Sequence, residues 1–154
     1  MTPVPLARGW ARSRLVVMLR RDVKIELLKQ VPLFAGCSKK ELGEIALVAD
    51  EIDVGAGKVL TREGDSGREF FVLVDGAADV RRKGRKVRTM DRGDFFGEIA
   101  LLSSRPRTAT VTATAPATLL VVTDRAFREL MQKMPSLQLK VLTALADRLA
   151  ADAT

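Results

Sequence analysis

Phe96-Gly97-Glu98-Ile99-Ala100-Leu101-Leu102-Ser103-Ser104-Arg105-Pro106-Arg107-Thr108-Ala109-Thr110-Val111 brings a glycine, a carboxylate, a short apolar turn and an arginine into one compact loop. Gly97 lets backbone approach a ligand where a Cβ would collide. Residues 98–102 suit a single helical turn, whose first amides lack intrahelical partners and favour an anion. Arg107 adds a planar guanidinium able to grip two phosphate oxygens at once. Glu98 would repel a phosphate and is better matched to a sugar hydroxyl, from which it accepts a hydrogen bond. A loop of this kind fits a singly charged cyclic phosphate held together with its ribose.

The stretch resembles the phosphate-binding cassette of the cyclic-nucleotide-binding domain family, of the catabolite activator and protein kinase A regulatory subunit type. That pattern reads Phe-Gly-Glu-x-Ala-Leu, a variable gap, Pro-Arg, a small residue, Ala, Ser or Thr, then Val. Its fixed places are filled here by Phe96, Gly97, Glu98, Ala100, Leu101, Pro106, Arg107, Thr108, Ala109, Thr110 and Val111. Val31-Pro32-Leu33-Phe34, Glu63-Gly64-Asp65, Phe70-Phe71-Val72, Asp75-Gly76 and Arg92-Gly93-Asp94 match as well, extending the resemblance over residues 25–150.

The resemblance implies a ligand, cAMP or cGMP, and a set of residues around it. Arg107 would hold the phosphate and Glu98 the ribose 2′-hydroxyl, with Gly97, Ile99 and Ala100 contributing mainly backbone groups. Thr108 and Ala109 belong to the same set. In the family a threonine directly after the arginine can bond guanine's exocyclic amine when the base is syn, yet some members with threonine there prefer adenine. Val80 and Val87 match positions that pack on the purine face, and read equally well as ordinary core valines. Arg148, thirteen residues after Pro135, stands where related domains place an arginine that caps the base; its plainer role is a solvated arginine at a helix end.

A chain of 154 residues is one ordinary domain, and 47% hydrophobic with 29% charged residues describes a soluble globular protein. The single cysteine, Cys37, excludes a disulfide within the chain. Histidine is absent, which removes Ser-His and Cys-His nucleophile pairs and any histidine metal site. The net charge of +7 is uneven: Arg8, Arg12, Arg14, Arg20, Arg21 and Lys24 crowd the N-terminal arm, and Arg81, Arg82, Lys83, Arg85, Lys86 and Arg88 crowd one hairpin. Such clusters attract nucleic acid or anionic lipid, or simply keep a strand edge solvated and unaggregated. The apolar run Leu15–Leu19 is far short of the roughly 20 residues of a membrane span, so a cytoplasmic location is expected.

Residues 1–24 read as a basic arm and 25–154 as the cyclic-nucleotide-binding domain. Helical periodicity runs to Lys29, and Ser38-Lys39-Lys40-Glu41 forms a capping box ahead of a helix ending near Asp50. From Glu51 to Thr123, short β-forming runs alternate with glycine turns, and Lys83-Gly84 is a hairpin turn between strands at 77–82 and 85–90. Thr123-Asp124 starts a helix with Phe127, Leu130, Met131 and Met134 on one face. Pro135 opens the last helix, for which a stripe of Leu142, Leu145 and Leu149 is expected. The fold class is α+β: an eight-stranded antiparallel β-roll of jelly-roll type, N-terminal helices, a short cassette helix and two C-terminal helices.

These readings point to a non-catalytic regulatory sensor that acts through an effector protein or a second copy of itself. No helix-turn-helix follows the roll within this sequence, so a DNA-reading output is not expected from it. The alternative is a protein-interaction module with a vestigial pocket. An enzyme would rest on Glu98 alone, with no second acid or base in the motif.

Overall fold

The computed structural model describes residues 14–103 and 105–153; the Pro- and Arg-rich stretch 1–13, Ser104 and Thr154 lie outside them. The chain divides into two compact units, Asp50–Arg125 and the helical segments on either side of it.

Asp50–Arg125 is the roll. Its strands are β1 (Asp50–Val54), β2 (Val59–Thr61), β3 (Glu69–Asp75), β4 (Ala78–Arg82), β5 (Arg85–Met90), β6 (Phe95–Phe96), β7 (Thr110–Ala113) and β8 (Ala117–Thr123). They form two four-stranded antiparallel sheets, ordered β1-β8-β3-β6 and β2-β7-β4-β5. The expected eight-stranded α+β roll is therefore present. Phe71, Leu73, Phe96 and Leu119 from the first sheet meet Val80, Met90, Val111 and Ala113 from the second in one buried cluster. On the alternate positions of β3 and β8, Phe70, Val72, Leu120 and Val122 are buried too. That is why Phe70–Val74 reads as a continuous apolar run rather than an alternating one. Between β4 and β5 the turn is Lys83-Gly84, both with positive φ (52° and 78°), the conformation that a two-residue hairpin loop requires.

The helical unit contains α1 (Arg14–Lys29), a 3-10 turn at Pro32–Phe34, α2 (Lys39–Val48) and α5 (Pro135–Ala153), and α1 runs unbroken through position 24. α3 (Ile99–Leu102) belongs to the roll, and α4 (Asp124–Lys133) leaves it. The capping box of α2 forms as expected: Glu41 N donates to Ser38 Oγ at 3.1 Å and Ser38 N to Glu41 Oε1 at 2.7 Å. At the other end of α2, Lys24 Nζ donates to the carbonyl of Ala49 at 2.6 Å, satisfying a helix-terminal acceptor.

The stripe expected on α5 is corrected. Leu145 is buried, but Leu142 and Leu149 are 49% and 39% exposed, and the buried positions are instead Leu137, Val141 and Leu145. The inward face steps by four residues, because Ser136 and Lys140, one position before Leu137 and Val141, are tied to Glu41. Ser136 Oγ donates to Glu41 Oε2 at 2.9 Å and Lys140 Nζ to Glu41 Oε1 at 2.8 Å. No helix among the described residues is long and apolar enough to cross a membrane.

Candidate functional site

The site begins with the end of β6. Phe96 stacks on Phe71 across the β3–β6 pair, centroids 4.7 Å apart. The chain then turns through Gly97 at φ 84°. A Cβ there would lie 2.6 Å from the Glu69 carbonyl oxygen and 2.9 Å from Arg107 Nη1, so no larger residue fits without displacing backbone. Glu98 follows, 8% exposed, and α3 makes a single turn. That turn is partly closed on itself: Ala100 N donates to Gly97 O at 3.0 Å and Leu101 N to Glu98 O at 3.0 Å. The Ala100 amide, expected to be unpaired, is thus already committed. Ala100 is buried, while Ile99 is intermediate.

Arg107 enters from the other side of the loop. Its backbone is fixed in register, with Arg107 N donating to Asp65 O at 2.8 Å and Gly64 N to Arg107 O at 2.9 Å. Beyond it, Thr61 Oγ1 donates to the carbonyl of buried Ala109 at 3.0 Å, and Thr108 is exposed. The Arg107 side chain is 9% exposed and its Nη2 donates to Glu69 Oε1 at 3.3 Å, Glu69 itself being 47% exposed. The guanidinium carbon sits 5.7 Å from the centroid of Phe71. Burial pushes the guanidinium below its ordinary pKa, and Glu69 acts in the opposite direction. Arg107 thus forms part of the wall of a cleft of about 210 Å³, together with Thr61, Arg62, Asp65, Gly67 and Glu69. Chemically, this is a desolvated cation beside a small, open cavity, able to take an anion.

Gly97, Glu98, Ile99, Ala100, Arg107, Thr108 and Ala109 all belong to the roll, where Gly97 and Arg107 are neighbours. Val80 is a core residue at 3% exposure, whereas Val87 is 49% exposed and sits where the β4–β5 register shifts. Arg148 lies on α5, in the helical unit. Sequence reasoning missed Gly67 and Glu69. A Cβ on Gly67 would collide with Arg107 Nε, so glycine there gives the guanidinium its room. The available signal was Gly67-Arg68-Glu69 directly before β3, a small residue and a carboxylate at the mouth of a buried strand. Among the described residues no group of acidic or cysteine side chains could hold a metal ion.

Comparison with known proteins places these features in a family. Residues 51–134 match the model of the cyclic nucleotide-binding domain. The cAMP-dependent protein kinase regulatory subunit of Mycosarcoma maydis is 39% identical over 121 residues, 73% of this chain and 23% of that protein. The cGMP-dependent protein kinase egl-4 of Caenorhabditis briggsae is 33% identical over 128 residues, 79% of this chain and 17% of that protein. A crystal structure of a cyclic nucleotide-binding domain from Methylobacillus flagellatus superposes with a TM-score of 0.75 at 25% identity, covering 86% of this chain and 77% of that one. The chain spans less than a quarter of either curated relative.

Proposed function

The chain belongs to the cyclic nucleotide-binding domain family, and we propose that it works there as a non-catalytic sensor of cAMP or cGMP. The observation that carries this reading is Arg107: a guanidinium 9% exposed that burial pulls below its ordinary pKa, set in a loop that two glycines keep open. A cyclic phosphate supplies the second negative partner. It displaces or joins Glu69 and gives the guanidinium a bidentate acceptor. Glu98 accepts from the ribose 2′-hydroxyl, and Gly97 and Ile99 bring backbone close to the sugar-phosphate. Thr108, exposed directly after the arginine, contributes to base preference without fixing it. The roles assigned to Val80, Val87 and Ala109 beside the ligand, and to Arg148 over the base, rest on the family resemblance. The output passes to an effector protein, such as a kinase, or to a second copy of the chain.

Calorimetric titration tests this directly. The protein is unfolded, stripped of carried ligand and refolded, then titrated with cAMP and with cGMP. One-site binding that is lost in Arg107→Ala is the expected result, and the ratio of the two affinities identifies the base. Silence for both nucleotides in a folded protein would instead favour an interaction module with a vestigial pocket.

A further inference from the structure

The most strongly charged surface of the roll lies outside the lining of the Arg107 cleft. From Arg81 to Arg88, six of eight residues are cations and none is acidic. All eight are exposed. They form the β4–β5 hairpin, and β5 ends its sheet, so its outer edge offers backbone donors and acceptors. The pairing across the hairpin sets Arg81 opposite Lys86 and Arg82 opposite Arg85. Like charges directly opposite each other destabilise a strand pair. Two such pairs in succession exceed what is needed to discourage aggregation, since a single inward or edge lysine does that. Asp79 neutralises one cation, Lys86, at 3.3 Å. Among the described residues the side chains of Arg82 and Arg85 meet no carboxylate.

Two further features give the edge a defined shape. Glu63 Oε1 accepts from Lys83 N at 2.8 Å, bracing the turn against the neighbouring loop. Val87, 49% exposed, falls in the register shift between Lys86 and Arg88 and adds an apolar point to a basic strip. Single-stranded nucleic acid would want aromatic platforms, and the hairpin has none.

We propose that the outer edge of β5 is a docking site for an extended acidic protein segment, which adds to the sheet as a further strand. Its backbone pairs with the free edge of β5, while its carboxylates relieve the like-charge pairs Arg81/Lys86 and Arg82/Arg85. The same charges oppose edge-to-edge pairing of two copies of this hairpin, so the surface selects a partner of opposite sign.

The test uses the full chain and a fluorescein-labelled decapeptide of alternating glutamate and valine. The readouts are anisotropy and amide hydrogen exchange. Expected are saturable binding that weakens as salt rises, slowed exchange across Arg85–Thr89, and at least a tenfold loss in the double variant Arg82→Glu/Arg85→Glu. Arg85→Lys should keep most of the affinity. Thermal melts and cyclic-nucleotide titration check that each variant is folded. The same peptide N-methylated on alternate residues keeps its charge but loses half its backbone donors, and should bind at least tenfold more weakly. Equal binding of the methylated peptide overturns strand addition. Equal or tighter binding of a ten-nucleotide oligothymidylate, without protection of β5, overturns the acidic-peptide assignment in favour of a general polyanion surface. Unchanged binding by the double variant, or no saturable binding at low salt, overturns the site itself.

Discussion

Glu41 in the helical unit is a buried charge and Arg107 in the roll a nearly buried one, but their surroundings differ in kind. Glu41 is saturated. It accepts from Ser38 N, Ser136 Oγ and Lys140 Nζ at 2.7–2.9 Å, and these donors, Lys140 first, hold its carboxyl at about 2, well below the ordinary 4.5. Arg107 is underserved. Its carboxylate partner among the described side chains is Glu69, at 3.3 Å and half open to solvent, and burial outweighs that partner, pulling the guanidinium below its ordinary pKa while leaving it charged. A charge whose environment already prefers it ionised is architecture; removing it harms the fold. One whose environment is short of counter-charge is what the proposed sensor needs, since an arriving anion would complete it.

The largest effect that follows is on Arg107→Ala. Removing one partner of a buried charge pair costs about 2–5 kcal/mol of binding, roughly 30-fold or more in affinity. The melting temperature should hold or rise, because the variant loses a cation the fold was poorly equipped to bury. Near-parental nucleotide affinity would break the comparison outright. Glu41→Ala should behave in the opposite way. Lys140 is 39% exposed and can turn to water, so the loss is that of unsatisfied donors, about 1–3 kcal/mol in a urea melt. Nuclear magnetic resonance shifts of the Gly97 and Arg107 amides should stay in place. The folded-state pKa of Glu41 is depressed, so its contribution is fully present above about pH 4.5 and is lost as pH falls through about 2. Glu41→Gln should flatten that acid limb; an unchanged limb would show that the clasp on α5 contributes nothing to the pH dependence.

The contrast also explains what the sequence made legible. The Ser38/Glu41 capping box, the Lys83-Gly84 turn and the 96–111 cassette are local patterns in which a few neighbouring residues settle their own geometry. The buried stripe of α5 was not legible from spacing, because leucines and alanines surround the helix. Glu41, some 95 residues away, selects the face by holding Ser136 and Lys140. Glu69 and Gly67 were missed for the same reason. Their meaning comes from Arg107, about 40 residues downstream, which the β3–β6 and β2–β7 pairings bring beside them. Long-range partners of a charge have no period to announce them.

Two smaller effects sharpen the comparison within the site. If Glu98 accepts from the ribose, a 2′-deoxy cyclic nucleotide should bind roughly tenfold more weakly, about 1.5 kcal/mol for a bond to a charged acceptor. Calorimetry that finds equal affinity would reduce Glu98 to a carboxylate favoured by its place before α3.

The smallest effect belongs to Glu69, and its sign carries the information. If Glu69 is a stand-in for the phosphate, Glu69→Gln removes a competing charge from Arg107 and cyclic nucleotide should bind more tightly. Because Glu69 is half exposed, the pair it makes with Arg107 is worth no more than about 1 kcal/mol, which limits the gain to roughly fivefold. Solvent-exposed electrostatics are screened by salt, so the advantage should shrink as ionic strength rises. A weaker-binding Glu69→Gln would reverse the reading: the carboxylate would then be aiming the guanidinium rather than occupying it, and Arg107 would resemble Glu41 in being held by its partner.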